Sequence, residues 1–401
     1  MPHGVALPGL HFSCGVAGLK SWVEISGARL AENFRAVRSV AGAGVEVLAV
    51  IKADAYGHGA AICAPVLVEA GATWLGVSDL EEGIAQRELM PHSGVRLLVM
   101  CGMEPGDAVR MVSHGLTPVV WTAGHVMAME RAARAGGHRV PVHVEVETGM
   151  ARQGAAVGEE LALVLERLAA SRWVHGEGVM THLCCSEVAA AETTKIALER
   201  FATALEQAAA AGVKPELVHL ANTSAVDEGG TMRWIRTKAK AMGARAMVRP
   251  GLALYGHCLP IEGEGVGGLS PKLAAVMEWK TRVIGLREVE AGTTVGYGAT
   301  FVAAKKMTLA LLPVGYADGF RRPASSGVGD GWVMVKGKRA GVVGRVSMNL
   351  TVVDVTEIAG VAEGDEVVLL GEGLSAEDHA RWSRTIAYDV LCGVRGRMVR
   401  V

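Results

Sequence analysis

A lysine at the end of an apolar strand-like run is the first residue whose placement suggests chemistry. In AVIKADAYGHG, Lys52 follows Val50 and Ile51, which put its amine at the edge of an apolar interior. Desolvation disfavours the ammonium form and frees the nitrogen lone pair, which suits such a lysine to Schiff-base chemistry with a carbonyl. Most lysines at strand ends instead lay their alkyl stem on apolar surface and keep the charge in water, so Lys52 needs companions. They follow at the ends of other apolar runs: Arg152 in VETGMARQG, His182 in THLCC, Asn222 and Thr223 in HLANTSA, and Arg249 in VRPGLALYG. Singly, each has an ordinary structural reading. Arg152 reads as a solvated loop charge, His182 as a satisfied core histidine, Asn222 and Thr223 as a helix N-cap, and Arg249 as an ion-pair partner.

The elements that must position these residues are eight short β-like runs between residues 45 and 255, rich in Val, Leu and Ile. They are Glu46–Ala53, Trp74–Ser78, Val95–Met100, Thr117–Trp121, Pro141–Glu147, His175–His182, Leu217–Ala221 and Ala246–Arg249. Stretches of helical periodicity separate them, and eight βα units in this length predict an α/β TIM barrel. A doubly wound open sheet is the competing topology, but it carries fewer strands and its glycine fingerprint is missing after the first run. A barrel gathers its active site at the carboxyl ends of its strands, where the residues above fall. The texture changes after Tyr255. Ile261 to Gly268 (IEGEGVGG) reads as an interdomain linker, because no helix signal follows it. From Leu273 onward short alternating runs such as Trp332–Val335, Val352–Val355 and Glu366–Leu370 dominate, with one helical stretch near Ala376–Val390. The expected organisation is an N-terminal extension over 1–20, a barrel over 21–260 and a smaller, mainly β domain over 261–401.

Charge and composition narrow the function class. Forty Lys and Arg against 41 Asp and Glu leave a net charge of −1, which supplies no diffuse field for nucleic acid or an anionic membrane. No stretch approaches the roughly 20 apolar residues of a membrane helix, and the first twenty residues lack the pattern of an export signal. Seven cysteines are scattered without CxxC or zinc-finger spacing, so reduced thiols in the cytoplasm and no metal site are expected. The expected partner is a small molecule.

Beyond these single residues, the chain resembles alanine racemase from about Ser21 to Val401. The resemblance rests on AVIKADAYGHG, HVEVETGMARQG, THLCC, HLANTSA, VRPGLALYG, VGYGATF, PVGYADGFRR, GRVSMN and TIAYDVLCG, in family order and spacing. It implies pyridoxal 5'-phosphate as cofactor, bound covalently by Lys52, and a small amino acid as substrate. It implies two bases on opposite faces of the substrate, Lys52 and Tyr297, with Tyr297 supplied by the other subunit of a homodimer and supported by His182 and Arg249. Arg249 would face the pyridine nitrogen. Tyr56, Tyr388, Asn222, Thr223 or Ser224, and the backbone amides of Gly251 and Leu252 would surround the phosphate. Arg152 would hydrogen-bond both the cofactor phenolate and the substrate carboxylate, and Met348, Tyr316 and Asn349 would serve the substrate. The product expected from the resemblance is D-alanine for peptidoglycan.

Three departures from the family pattern stand out. Glu145 occupies a position where the family often carries a carbamylated lysine, and its carboxylate supplies that negative charge directly. Ser347-Met348-Asn349 replaces Cys-Met-Asp and removes one negative charge. Gln153 replaces the usual leucine after Arg152, and the sequence offers no physical account of it. Asn349 keeps open a racemase for serine or for a broader range of amino acids. A barrel decarboxylase for basic amino acids would carry an acidic partner for the pyridine nitrogen, where this chain has Arg249. A non-catalytic pyridoxal-phosphate carrier would lack the second domain that bears Tyr297.

Overall fold

The computed structural model describes residues 18–263 and 267–401, so the extension expected over 1–20 lies almost wholly outside the described residues. The chain divides into two compact units, one over Gly27–Val276 and the other over Met277–Val401 with the residues before Gly27.

The first unit is a closed parallel barrel. Its strands are β1 (Glu46–Val50), β2 (Trp74–Val77), β3 (Arg96–Val99), β4 (Thr117–Val120), β5 (Val140–Glu147), β6 (Val174–Met180), β7 (Leu217–Ala221) and β8 (Arg245–Val248). They follow one another around the sheet in chain order, β8 pairs with β1, and all neighbours are parallel. Helices cover the outside, so β2, β4 and β7 are buried along their whole length. That burial on both faces is why the strands read as continuous Val/Leu runs rather than as alternating ones. The first strand ends at Val50, three residues before the expected Ala53, because the chain turns there into the tight segment that carries Lys52.

The second unit is mainly β. A six-stranded sheet runs in the order Lys338–Gly341, Trp332–Val335, Glu366–Leu370, Met277–Arg282, Ser21–Ile25, Arg397–Arg400. A three-stranded antiparallel sheet joins Gly285–Val289, Met307–Leu312 and Thr351–Asp354. Three expectations need correction here. Ser21–Ile25 belongs to this sheet rather than to the barrel, pairing antiparallel with Met277–Arg282 and parallel with Arg397–Arg400. The glycine-rich segment is no free linker: Glu262 exchanges backbone hydrogen bonds with Glu187 and Ala189, and the amides of Leu269 and Ser270 donate to the Asp227 carboxylate. These bonds tie it to the barrel unit, and the division falls at Met277. The single helix expected over Ala376–Val390 is two, Ala376–Ser383 and Ala387–Gly393, because Arg384 adopts a left-handed conformation that ends the first. Among the described residues no helix is long and apolar enough to cross a membrane.

Candidate active site

Lys52 opens a turn of unusual hand. Ala53, Asp54, Ala55 and Tyr56 all have φ between 51° and 56°, a left-handed turn built without glycine. Each such residue costs roughly 1–2 kcal/mol relative to right-handed geometry, so neighbouring bonds must hold the turn. The Ala53 amide donates to Glu82 (2.7 Å) and the Ala60 amide to Asp54 (2.7 Å). The buried His58 imidazole bonds the Ala55 and Tyr56 carbonyls through Nδ1 (both 3.1 Å) and stacks on Tyr255, whose hydroxyl donates to the Val50 carbonyl. Burial first, against those carbonyl bonds, pushes the His58 pKa down to about 3, so the ring is neutral and Nδ1 carries the hydrogen. The half-buried Lys52 and the buried Tyr56 are thereby fixed one turn apart.

Arg249, just past β8, is 5% exposed, and its hydrogen-bond partners among the described residues are a carbonyl and two imidazoles. Its Nη2 donates to the Thr181 carbonyl (2.7 Å) and to His182 Nδ1 (3.1 Å), and its Nη1 donates to His219 Nδ1 (3.2 Å). Burial lowers its pKa to about 10, with the field of Glu145 opposing and that of Arg152 adding, so it stays charged at neutral pH. Because a guanidinium can only donate, it sets the tautomers beyond it. His219 must carry hydrogen on Nε2, which lies 2.9 Å from His143 Nδ1; His143 must then carry its own on Nε2, 3.2 Å from Glu177. Arg96 closes the chain with two bonds of 2.8 Å to the Glu177 carboxylate. The result is a one-way series through the barrel interior, Arg249 to His219 to His143 to Glu177. Burial and the Arg249 charge also push His182 to about 3, with Arg152 and Lys52 adding to the effect. Its Nδ1 accepts from Arg249, so its Nε2 carries the hydrogen and is a donor.

A group of polar atoms gathers just past β7 and β8. The amides of Gly251 and Ala253 both donate to Thr223 Oγ1 (3.2 Å each), and a Cβ built on Gly251 would lie 2.2 Å from the Tyr56 hydroxyl. Tyr56, Thr223, Gly251 and Ala253 therefore meet at one place, and the close approach of Tyr56 requires glycine at 251. Asn222 is turned to its own helix, where its side chain accepts from the Ala225 amide (3.0 Å), the N-cap reading of this residue. Ser224 is buried beside Thr223. The polar groups gathered here are neutral hydroxyls and amides, a set that suits the oxygens of a phosphate. Arg152 is exposed in the loop after β5, and its charge reaches both His182 and Glu145.

The β unit assembles a second group. Gly296 and Gly298 flank Tyr297 with φ of 78° and 72°, and a Cβ on Gly296 would lie 3.1 Å from the Arg345 amide. The turn bearing Tyr297 is thus laid against the turn of GRVSMN. The amides of Tyr316 and Ala317 donate to the carbonyls of Ser347 (3.1 Å) and Met348 (3.0 Å), and Gly315 is the residue that lets these loops touch. Asn349 reaches Asp318 at 3.5 Å, and Asp318 also accepts from Lys20 (2.8 Å). Tyr297, Met348 and Tyr316 are 70%, 57% and 44% exposed. Tyr388 is half-buried on the helix Ala387–Gly393.

Four residues of the buried series, Arg96, His143, Glu177 and His219, were not singled out by the sequence reading. A signal for one existed: in HVEVE the two-residue period of a strand puts His143 on the same face as Glu145, where an apolar residue would be expected.

Residues 25–258 match the family described as "Alanine racemase, N-terminal domain", and residues 276–401 match "Alanine racemase, C-terminal domain". A protein named alanine racemase from Symbiobacterium thermophilum is 37% identical over 385 residues, 95% of this chain and 96% of that protein. The solved alanine racemase of Streptomyces coelicolor A3(2) superposes with a TM-score of 0.83 at 32% identity, covering 94% of this chain and 98% of that one. That of Bartonella henselae, described with covalently bound pyridoxal phosphate, gives 0.81 at 25% identity, covering 95% and 99%.

Proposed function

Because the chain belongs to the alanine racemase family, we propose that it interconverts L-alanine and D-alanine with pyridoxal 5'-phosphate as cofactor. The observation that carries this reading is a buried arginine that can only donate hydrogen bonds and that bonds His182, a ring whose ionisation the Lys52 charge also disfavours. When bound, the cofactor acidifies the Cα–H of the amino acid joined to it.

Lys52 would hold the cofactor covalently and act as the base on one face of Cα. Arg249 would face the pyridine nitrogen; a guanidinium donates a hydrogen bond there without giving up its proton, which limits how far charge is drawn into the ring. That favours return of the proton to carbon over decarboxylation or transamination. Tyr56, Thr223 or Ser224, and the amides of Gly251 and Leu252 would hold the phosphate, with Asn222 and Tyr388 beside them. Arg152 would meet the substrate carboxylate, while Met348, Tyr316 and Asn349 line its approach.

A racemase needs a proton donor and acceptor on the second face, since one group returns the proton to the side it left. We assign that role to Tyr297 of a second copy of the chain. A phenol has a reference pKa of about 10 and needs support as a base; His182, with its hydrogen on Nε2 and a cation behind it, can donate to the phenolate oxygen. The exposure of Tyr297, Met348 and Tyr316 supports a homodimer that covers them. The cytoplasm, and D-alanine for peptidoglycan, are the setting that the family implies. Asn349 supports one further reading, a racemase of broader range, because an amide there removes a charge from the substrate's approach.

The test is racemisation of L- and D-alanine, L-serine and L-lysine by the purified protein, with the visible spectrum of the bound cofactor before and after Lys52→Ala. Alanine turnover with a cofactor band that the substitution abolishes is expected. Turnover of all three amino acids would favour the broader reading, and a bound cofactor without turnover would favour a carrier.

A further inference from the structure

The geometry points to Gln153 as a positioning residue that clamps the Glu145 carboxylate in the field of Arg152 and Arg249. The inference rests on the racemase reading for its effect on catalysis, but not for the clamp itself. Glu145 lies on β5 and is 2% exposed. Its Oε2 accepts from Gln153 Nε2 in a short hydrogen bond, and the same nitrogen donates to the Met100 carbonyl (2.9 Å) just past β3. Two acceptors on one amide nitrogen identify it as the NH2 group, with both hydrogens used. A leucine at 153 would offer neither, leaving a buried carboxylate oxygen and a buried carbonyl without this donor.

The loop is built to bring Gln153 back to the strand it left. Glu147 accepts from the Gly149 and Ala151 amides, which curls the chain, and Ala155 and Ala156 pair in parallel with Val146 and Glu147. Gly154 has φ of 109°, and a Cβ there would lie 2.7 Å from the Glu147 amide, so only glycine permits the return. The charges that face Glu145 are Arg249 and Arg152, which favour its ionised form, and Glu147, which opposes it. Burial is the largest influence and raises the Glu145 pKa; the Gln153 bond is the first of the effects that resist it. Gln153 therefore orients the carboxylate and opposes the effect of burial on its ionisation, and the two substitutions Glu145 and Gln153 act as one unit.

The experiment is a double-mutant cycle of Gln153→Leu and Glu145→Gln, following the thermal midpoint from pH 5 to pH 8 and the pH–rate profile of alanine racemisation. Removing the donor raises the Glu145 pKa further, so ionisation at higher pH becomes more costly to the folded state. The drop in midpoint caused by Q153L should therefore grow from pH 5 to pH 8 when Glu145 is present and stay constant with pH in the E145Q background. The acid limb of the rate profile should move to higher pH in Q153L and stay in place when the same change is made in the E145Q background. A pH-independent drop, equal in both backgrounds, would mean that Gln153 only fills space, and overturns the proposal. If the wild type fails to racemise any amino acid while the stability cycle behaves as stated, the racemase reading fails and the clamp stands.

Discussion

His143 fills the space that a side chain at position 178 would need: a Cβ built on Gly178 lies 2.6 Å from His143 Nδ1. The two residues are direct partners on β5 and β6. A ring whose both nitrogens are engaged, to His219 and to Glu177, has no freedom to retreat. Gly178→Ala should therefore displace His143 and lower the unfolding free energy by about 2–3 kcal/mol, from overpacking and a broken buried hydrogen bond. Urea unfolding measures this, and a loss below about 0.5 kcal/mol would show that the ring accommodates the methyl.

Glu177 gives the buried series its negative end. Burial raises its pKa, but the hydrogen bonds from His143 and Arg96 outweigh that and hold it at about 2. A folded-state pKa below the unfolded value gives stability that is present above about pH 4.5 and lost as the pH falls towards 2. With allowance for solvent on the Arg96 side, this amounts to about 2 kcal/mol. Glu177→Gln should be less stable than the wild type at pH 7, and the difference should shrink as the pH falls from 5 to 2. A constant difference across that range would remove Glu177 from acid unfolding.

Thr223 and Ser224 are adjacent hydroxyls in different positions. The Thr223 oxygen already accepts the Gly251 and Ala253 amides, and the first of these is among the groups assigned to the phosphate. Thr223→Val should weaken binding of pyridoxal phosphate by about tenfold, the worth of one hydrogen bond to a charged group. Ser224→Ala should change it by less than about threefold. Equilibrium titration of the cofactor-free protein, read by absorbance, tests the pair; the reverse order would transfer the phosphate contact to Ser224.

Tyr297 should act on one face only. Tyr297→Phe is expected to cut racemisation at least 10²-fold, as for loss of a general acid–base group. The Lys52 face should still exchange the Cα deuteron of one alanine enantiomer, and NMR of each enantiomer in light water follows this. Equal loss for both would remove Tyr297 from its assigned face.

Most of the barrel was legible because its strands are buried over most of their length, β2, β4 and β7 completely, and so appear as largely apolar runs. The first strand was read three residues too long because the left-handed turn at Ala53–Tyr56 has no periodic signature; its alanines and its tyrosine are unremarkable helix or strand residues by type. Ser21–Ile25 escaped because it is five residues long and its partners, Met277–Arg282 and Arg397–Arg400, lie at the other end of the chain. In the site, Lys52, His182 and Arg249 could be named from strand ends. The series behind them could not: His143 and Glu177 are 34 residues apart, and His143 and His219 are 76 apart, so the hydrogen bonds between them exist only through barrel closure. Gln153 is the reverse case, close in sequence to Glu145 but joined to it only because Gly154 turns the loop back.

The turn after Lys52 also bears on attempts to make this protein more robust. Four residues wound against the hand that L-amino acids prefer are a reserve of free energy, and Ala53→Gly or Ala55→Gly would release part of it. The same change would loosen the spacing between the Lys52 amine and the Tyr56 phenol, which that winding fixes. Thermal endurance and catalytic accuracy are thus set against each other within one stretch of five residues, and selection for heat resistance should find its gains elsewhere in the chain.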